Sequence, residues 1–156
     1  HGGPEGIGYQ YAWTRDIPSP TVEQIIKHYK EDYLIIHIKR QDQIIYEDTL
    51  QALDGFRSIA ILLQMSDKRL LIDSFAQHMA AALNLKSTVC WSATNPEVFG
   101  YKMHDNVISE PFTKEPSLEQ AVYSPFQLSE TIHTIPYNNL NEVFDTDKII
   151  SSLNKQ

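Results

Sequence analysis

The chain has 156 residues, 42% of them hydrophobic, and a formal net charge of −7. This length supports one ordinary hydrophobic core and is too short for two full domains, so we expect one domain over residues 1–156. The acidic balance and the lack of any run of lysines or arginines argue against a nucleic-acid partner, whose phosphates are normally bound by basic patches.

The cysteine, histidine and hydropathy patterns indicate which bonds, metal sites and cellular location to expect. Cys90 is the only cysteine, which excludes an intrachain disulfide and a Cys-x-x-Cys zinc site. His28 and His133 show no metal-ligand spacing, so metal dependence is not expected. No cofactor is expected either. No apolar run reaches the roughly 20 residues that cross a bilayer, and no charged-then-apolar leader opens the sequence. We expect a cytoplasmic protein without a transmembrane segment.

The N-terminal part predicts a loop, a helix and a strand. The glycine-rich stretch 2–8 is typical of a phosphate-cradling turn that follows a strand, although Gly-x-Gly-x-x-Gly spacing is absent. The sequence therefore begins where a strand is expected to end. A helix is predicted over about 21–31, where Thr21 and Gln24 have capping-box spacing. The apolar run 33–38 predicts a strand buried on both faces.

Helices and strands are expected to alternate in the next segment. Helical spacing of apolar residues predicts helices over about 56–65 and 75–84. Short apolar runs predict strands at 69–72 and 87–91. This alternation is typical of an α/β fold, a Rossmann-like parallel sheet with helices on both faces and right-handed crossovers.

The sequence after Trp91 is rich in proline and carries weaker patterns. It predicts loops, a short helix near 117–122 and a last helix over about 147–153. A loop after the third predicted strand is interpreted either as part of a cleft or as a simple surface loop. Its polar and aromatic residues are Glu97, Gly100, Tyr101 and His104.

A polar cluster stands where the second predicted strand ends. Ligands of parallel sheets bind at the carboxyl ends of strands. Asp73 and Ser74 occupy such an end, just before a helix whose first N–H groups and dipole attract an anion. His78 lies one turn further on the same face, so these groups could converge on one ligand. Spacing alone also allows a capped helix with a backbone-bonded histidine.

The stretch Asp73-Ser74-x-x-Gln77-His78-Met79-Ala80-Ala81-Ala82-Leu83, followed by Thr88-Val89 and Trp91, resembles the signature of the heptosyltransferase-like glycosyltransferases, family nine. The usual form of that signature is Asp-Ser/Thr-Gly-Pro-x-His-x-Ala-Ala-Ala. A weaker resemblance covers most of the remaining chain from Gly2 onward. It implies a GT-B fold of two Rossmann-like domains, of which this chain resembles the C-terminal, donor-binding one, without the N-terminal acceptor domain.

The resemblance also implies roles for single residues. In that family the Asp-Ser/Thr turn contacts the donor phosphates or sugar, the histidine lies at the nucleotide pocket, and a basic residue near a Trp-Pro segment contacts phosphate. Those roles fall on Asp73, Ser74, His78 and Arg15. The expected nucleotide-sugar-binding residues are Gly3, Thr14, Arg15, Asp73, Ser74, Phe75, Gln77 and His78.

This sequence departs from the family pattern at two places. Phe75-Ala76 stands where the family has Gly-Pro, and Phe75 adds bulk where glycine lets the backbone approach phosphate, so a heptose donor is not assumed. The family's ribose-binding acid is replaced by the stretch 39–43. Two interpretations of this stretch are possible. Either Arg40 or Gln43 reaches the ligand from the strand end, or the stretch is a solvated charged turn.

The implied reaction transfers a sugar from a nucleotide-diphosphate-sugar donor to a glycan or lipid-linked glycan acceptor in bacterial glycan biosynthesis. The family's general base belongs to the N-terminal domain, so no catalytic residue is assigned and the isolated domain is expected to be inactive. The alternative is a non-catalytic Rossmann-like domain for ligand sensing or partner docking, with Phe75 closing the former phosphate site.

Overall fold

The computed structural model describes residues 15–41, 43–53, 55–111 and 138–156. The helices that lie wholly within these residues are α1 (Ser19–Tyr29), α2 (Phe56–Met65), α3 (Phe75–Ala82), α4 (Pro96–Phe99) and α5 (Thr146–Leu153). The strands are β1 (Ile36–Lys39), β2 (Leu50–Leu53), β3 (Leu70–Ile72), β4 (Thr88–Trp91) and β5 (Asp105–Ile108). A short 3-10 turn, Leu140–Glu142, precedes α5.

All strand pairs in the described residues are parallel. β1 pairs with β2, with Ile36 opposite Leu50, and β4 lies between β3 and β5 in a separate three-stranded sheet. The prediction of an α/β fold with parallel strands is confirmed, but the strands of the described residues are divided between two sheets. β2 and β5 were not predicted, because their sequences mix polar with apolar residues in short runs.

Helix boundaries differ from the sequence prediction mainly at α1. The helix begins at Ser19, so Thr21 lies inside the first turn and forms no capping box. Proline is tolerated at the first helical positions, which lets the helix start before Thr21. Gln24 instead accepts a hydrogen bond from the Thr146 hydroxyl at 3.0 Å. This contact ties α1 to the start of α5.

The other helix predictions agree more closely with the structure. α2 has the predicted bounds, while α3 ends at Ala82, since Asn84 adopts a left-handed conformation with φ 57° that terminates the helix. α5 begins at Thr146, where the Asp145 carboxylate accepts bonds from the first-turn amides. The helix predicted near 117–122 lies outside the described residues.

Two apolar clusters cover opposite faces of β3 and β4. The first core combines Ile72 and Cys90 from the strands with residues of α1 and α5, among them Ile25 and Ile149. The second core is formed by Ile59, Leu63, Leu71, Ala80, Val89 and Trp91, from α2, α3, β3 and β4. Successive strand residues point to opposite faces, so the strands are sandwiched between the two helical layers.

Candidate functional site

Buried polar residues follow each strand at the carboxyl edge of the three-stranded sheet. Asp73 follows β3, Ser92 follows β4 and Ser109 follows β5, and all three are buried. The Ser109 hydroxyl donates to the Ser92 carbonyl at 2.7 Å, and the Ser92 hydroxyl donates to the Asp16 carbonyl at 2.9 Å. These bonds hold the segment that enters α1 against this edge.

Arg15 and Asp73, both predicted site residues, meet at this edge. Arg15 Nε lies 3.9 Å from Asp73 Oδ2, and the side chains are 44% and 11% exposed. That distance is too long for a hydrogen bond, so the contact is electrostatic. Within the described residues the guanidinium makes no hydrogen bond, which leaves its planar fork of donors available to an anion.

The first turn of α3 lies next to this ion pair. Ser74 is the N-cap, with extended backbone angles of φ −158° and ψ 173°, and its side chain makes no capping hydrogen bond. The first amides of a helix have no intrahelical partner, and the helix dipole adds partial positive charge at this end. Arg15 and the start of α3 therefore combine two attractions for a negatively charged ligand.

Phe75 lies outside both cores and extends the site with an aromatic surface. Its side chain is 45% exposed and packs edge to face on Phe56, which is 72% exposed, with ring centroids 4.7 Å apart. The two rings come from the starts of α3 and α2. Phe75 and Phe56 thus form an exposed pair of rings, a surface suited to stacking a planar ligand group.

Gln77 and His78 connect α3 to the loop after α4. Gln77 is fully buried and its Nε2 donates to the Phe99 carbonyl at 3.1 Å, while its Oε1 has no hydrogen-bond partner in the described residues. His78 is exposed, and its Nδ1 lies 3.1 Å from the Tyr101 hydroxyl. His104 Nε2 hydrogen-bonds the Gln77 carbonyl at 3.2 Å. The pKa of His104 is lowered, primarily by burial and further by nearby His78.

The loop that carries Tyr101 passes closely over the β4 end. A β-carbon on Gly100 would lie 2.5 Å from the Pro96 carbonyl oxygen and 3.1 Å from Trp91 Cζ2. Trp91 Nε1 donates to Asn106 Oδ1 at 2.8 Å. Glycine is thus required at position 100 by close packing, and this packing sets where Tyr101 meets His78.

Among the predicted site residues, the structure brings together Arg15, Asp73 and the start of α3. The hydrogen-bond contacts of His78 are with Gln77 and Tyr101, and within the described residues none joins it to Arg15 or Asp73. Gly3 and Thr14 lie outside the described residues. The turn after β1 is closed by a bond from the Arg40 amide to Gln43 Oε1 at 2.9 Å.

Buried hydroxyls are the part of this edge that sequence reasoning missed. Ser92, Thr94 and Ser109 are at most 1% exposed, and Thr94 Oγ1 has no hydrogen-bond partner in the described part of the chain. The available signal was the run Ser92-Ala93-Thr94, small and polar residues directly after a fully buried strand. Such residues at a strand end are candidates for contact with a ligand.

Within the described residues, neither a metal-binding cluster nor a membrane-spanning helix is found. In residues 15–41, 43–53, 55–111 and 138–156, no group of three or more His, Cys, Asp or Glu side chains could hold a metal ion. Over the same ranges, every helix is too short or too polar to cross a bilayer.

Comparison with known proteins found no matching protein family, curated protein or solved structure.

Proposed function

We propose that this chain is the donor-binding half of a glycosyltransferase and binds a nucleotide-diphosphate sugar at the carboxyl edge of the three-stranded sheet. The observation that carries the proposal is the position of the Arg15 guanidinium, 3.9 Å from Asp73 and beside the first turn of α3. A diphosphate between Arg15 and the α3 amides receives charge-assisted hydrogen bonds and a favourable dipole.

Asp73 has a different role from Arg15, because a carboxylate repels phosphate. It accepts hydrogen bonds from sugar hydroxyls and holds Arg15 in place through the ion pair. The exposed rings of Phe75 and Phe56 offer a stacking surface for the base or the sugar. The family resemblance assigns His78 to the nucleotide pocket, and in the structure its Nδ1 lies 3.1 Å from the Tyr101 hydroxyl.

The chemical contribution of this half is to bind and stabilise the leaving diphosphate. Donors that are already oriented toward developing negative charge lower the barrier to its departure. The base that deprotonates the acceptor lies outside this chain in the proposal, and no residue here is assigned to it. The isolated chain therefore binds donors without transferring sugar.

Calorimetric titration with uridine, guanosine and adenosine diphosphates at about 0.15 M salt tests the proposal, since phosphate contacts weaken with ionic strength. We expect Arg15→Ala to weaken binding of the preferred diphosphate about 5- to 30-fold, the loss of one or two charge-assisted bonds at a half-exposed site. Lys86→Ala is the matched control. Lys86 is equally exposed, at 44%, but pairs with Asp105 at the opposite end of the sheet.

Asp73→Asn distinguishes recognition of the sugar from recognition of the diphosphate. It should weaken binding of the nucleotide sugar more than binding of the free diphosphate. The reason is that the amide removes a charged acceptor for the sugar hydroxyls and also relieves the repulsion of phosphate. His78→Ala is expected to weaken both ligands alike. Absence of binding of every nucleoside diphosphate at about 1 mM, where even weak sites are detected, would sink the donor-site proposal.

A non-catalytic docking or sensing domain is the second candidate. It is favoured by the exposed Phe56–Phe75 pair, since neighbouring exposed aromatic rings are typical of protein interaction surfaces. The substitution Phe75→Ala distinguishes the two candidates. If the rings belong to a donor site, this change lowers nucleotide affinity. If they belong only to a docking surface, nucleotide affinity stays unchanged.

A further inference from the structure

Lys39 carries an ammonium group that is buried without a carboxylate partner. The residue ends β1, and only 6% of it is exposed. Within the described residues, its one hydrogen-bond contact is from Nζ to the Gln41 carbonyl oxygen, at a long 3.4 Å. An ammonium group has three N–H donors, so most of its capacity for hydrogen bonds is unused. Lysine is rarely buried in proteins unless it is paired with an acidic group.

The lysines that form ion pairs in the described residues show the opposite arrangement. Lys30, Lys86 and Lys148 each lie within 3.2 Å of a carboxylate oxygen, and their side chains are 37%, 44% and 61% exposed. A lysine that only packs its hydrocarbon stem places its ammonium group in water. Burial of an ammonium group without a counter-charge is unfavourable. The surroundings of Lys39 therefore lack a negative charge that a bound anion can supply.

The ammonium group of Lys39 lies at the same edge of the fold as the proposed donor site. β1 and β2 are parallel and end together, with Lys39 opposite Leu53. α2 comes next in the chain after β2, as α3 does after β3, and the first residues of these helices meet in the contact of Phe56 with Phe75. The carboxyl ends of both sheets therefore open on the same side. Gln41, whose carbonyl Lys39 approaches, is exposed beyond the strand end, so a ligand can reach this position.

The start of α1 connects the edge of the three-stranded sheet to β1. The segment that enters α1 is held against that edge by the hydroxyl bonds described above. Ser19 begins α1, and its Oγ lies 3.0 Å from the Tyr46 hydroxyl, while the Tyr46 ring lies 5.2 Å from the ring of His37 in β1. Alternate residues of a strand share a face, so Lys39 lies on the same face of β1 as His37. This is the side of the sheet from which the segment that begins with Arg15 enters α1.

We propose that Lys39 binds a second oxyanion of the ligand, a carboxylate or phosphate group separate from the diphosphate assigned to Arg15. This inference rests on the donor-site function proposed above. It makes the donor more acidic than a simple nucleotide sugar: either the sugar carries a carboxylate, or the ribose carries a further phosphate. Both groups accept charge-assisted hydrogen bonds from an ammonium group. The oxyanion replaces the long contact of Lys39 with the Gln41 carbonyl and supplies the missing negative charge.

Urea unfolding of the full-length protein without ligand distinguishes a binding lysine from a structural one. Lys39→Met keeps a long side chain and removes the unpaired charge, so the variant should be at least as stable as the original protein. An unfolding midpoint lower by about 0.5 M urea or more would mean that Lys39 stabilises the fold through its own contacts. That result would overturn the proposal.

Calorimetric titration with matched pairs of ligands tests the second oxyanion. One pair is the nucleoside diphosphate glucose and the corresponding glucuronate, which differ by a carboxylate. The other pair is the nucleoside diphosphate and its 2′-phosphate derivative. Each pair is prepared with uridine, guanosine and adenosine, so that preference for a base does not hide the comparison. At about 0.15 M salt, the more acidic member of one pair should bind about 5- to 30-fold more tightly, and that pair identifies the oxyanion.

Two variants show whether Lys39 causes this preference. Lys39→Met should abolish the preference for the acidic member and change the affinity for the other member by less than about twofold, whereas Lys86→Ala should keep the preference. If nucleoside diphosphates bind without any preference for an acidic member, or if the preference persists in Lys39→Met, the inference is overturned and the donor-site proposal stands. If no nucleotide ligand binds, both are overturned.

Discussion

Arg69 should be among the most sensitive positions for stability outside the two cores. Its guanidinium donates to three backbone carbonyls: Nε to Leu63 at 2.7 Å, Nη1 to Lys86 at 3.0 Å, and Nη2 to Ser66. Two of these carbonyls, those of Leu63 and the C-cap Ser66, stand at the end of α2, whose own last turn contains no basic residue. Arg69 therefore caps α2 and ties it to the approach to β4.

Arg69→Ala removes all three bonds together with the favourable charge at the helix end. A hydrogen bond from a charged donor contributes about 1.5–3 kcal/mol, but Arg69 is only half-buried, so about 1 kcal/mol for each bond is the appropriate figure. The free energy of unfolding should fall by about 3 kcal/mol, and Tm by about 6–12 °C for a chain of this size.

Urea unfolding followed by far-UV circular dichroism measures this change. Arg69→Lys keeps the charge but not the fork, and should recover about 1 kcal/mol of the loss. Arg57→Ala, at an exposed position on the same helix, should change stability by less than about 0.5 kcal/mol. A loss below about 1 kcal/mol in Arg69→Ala would refute the assignment of three stabilising bonds.

Three further outcomes follow from burial and close packing. Gly100→Ala should lose about 1–3 kcal/mol of stability, because its β-carbon would lie 2.5 Å from a backbone oxygen, and a loss under 0.5 kcal/mol in urea unfolding would contradict this packing. Burial lowers the pKa of His104, so the unfolded chain binds its proton first and stability falls as pH drops below about 6.5, by at most about 1.4 kcal/mol per pH unit. His104→Gln should flatten that part of the Tm–pH profile, and an unchanged slope would contradict the assignment. Burial raises the pKa of the Cys90 thiol, so thiol reagents should label it only after unfolding, and rapid labelling of the native protein would contradict its burial.

Much of the helix and strand pattern followed from local sequence. α2, β3, α3, β4 and α5 were predicted close to their observed bounds, because their apolar residues recur with helical spacing or form short continuous runs. β2 and β5 lie at edges of the described sheets and are only four residues long, with Gln51 in β2 and Asp105 and Asn106 in β5 interrupting the apolar pattern. Pairing with a neighbour therefore decides their strand structure more than their own sequence does.

The site was predictable in its chemistry but not in its geometry. Asp73 and Ser74 were placed at a strand end by sequence, and Arg15 was added only by family resemblance. The 3.9 Å approach of Arg15 to Asp73 depends on bonds such as that from Ser92 to the Asp16 carbonyl, which join residues far apart in sequence. Likewise, His78 faces Tyr101 because Gly100 allows the loop to pack over Trp91.

The sequence by itself determined an α/β chain with parallel strands and a polar strand end before an alanine-rich helix. Local periodicity is sufficient for those features, because each depends on residues within a few positions of one another. Only the tertiary structure decided that Phe75 is an exposed ring against Phe56, and that two sheets share the same pair of cores. Those features depend on packing between distant segments, which no local pattern specifies.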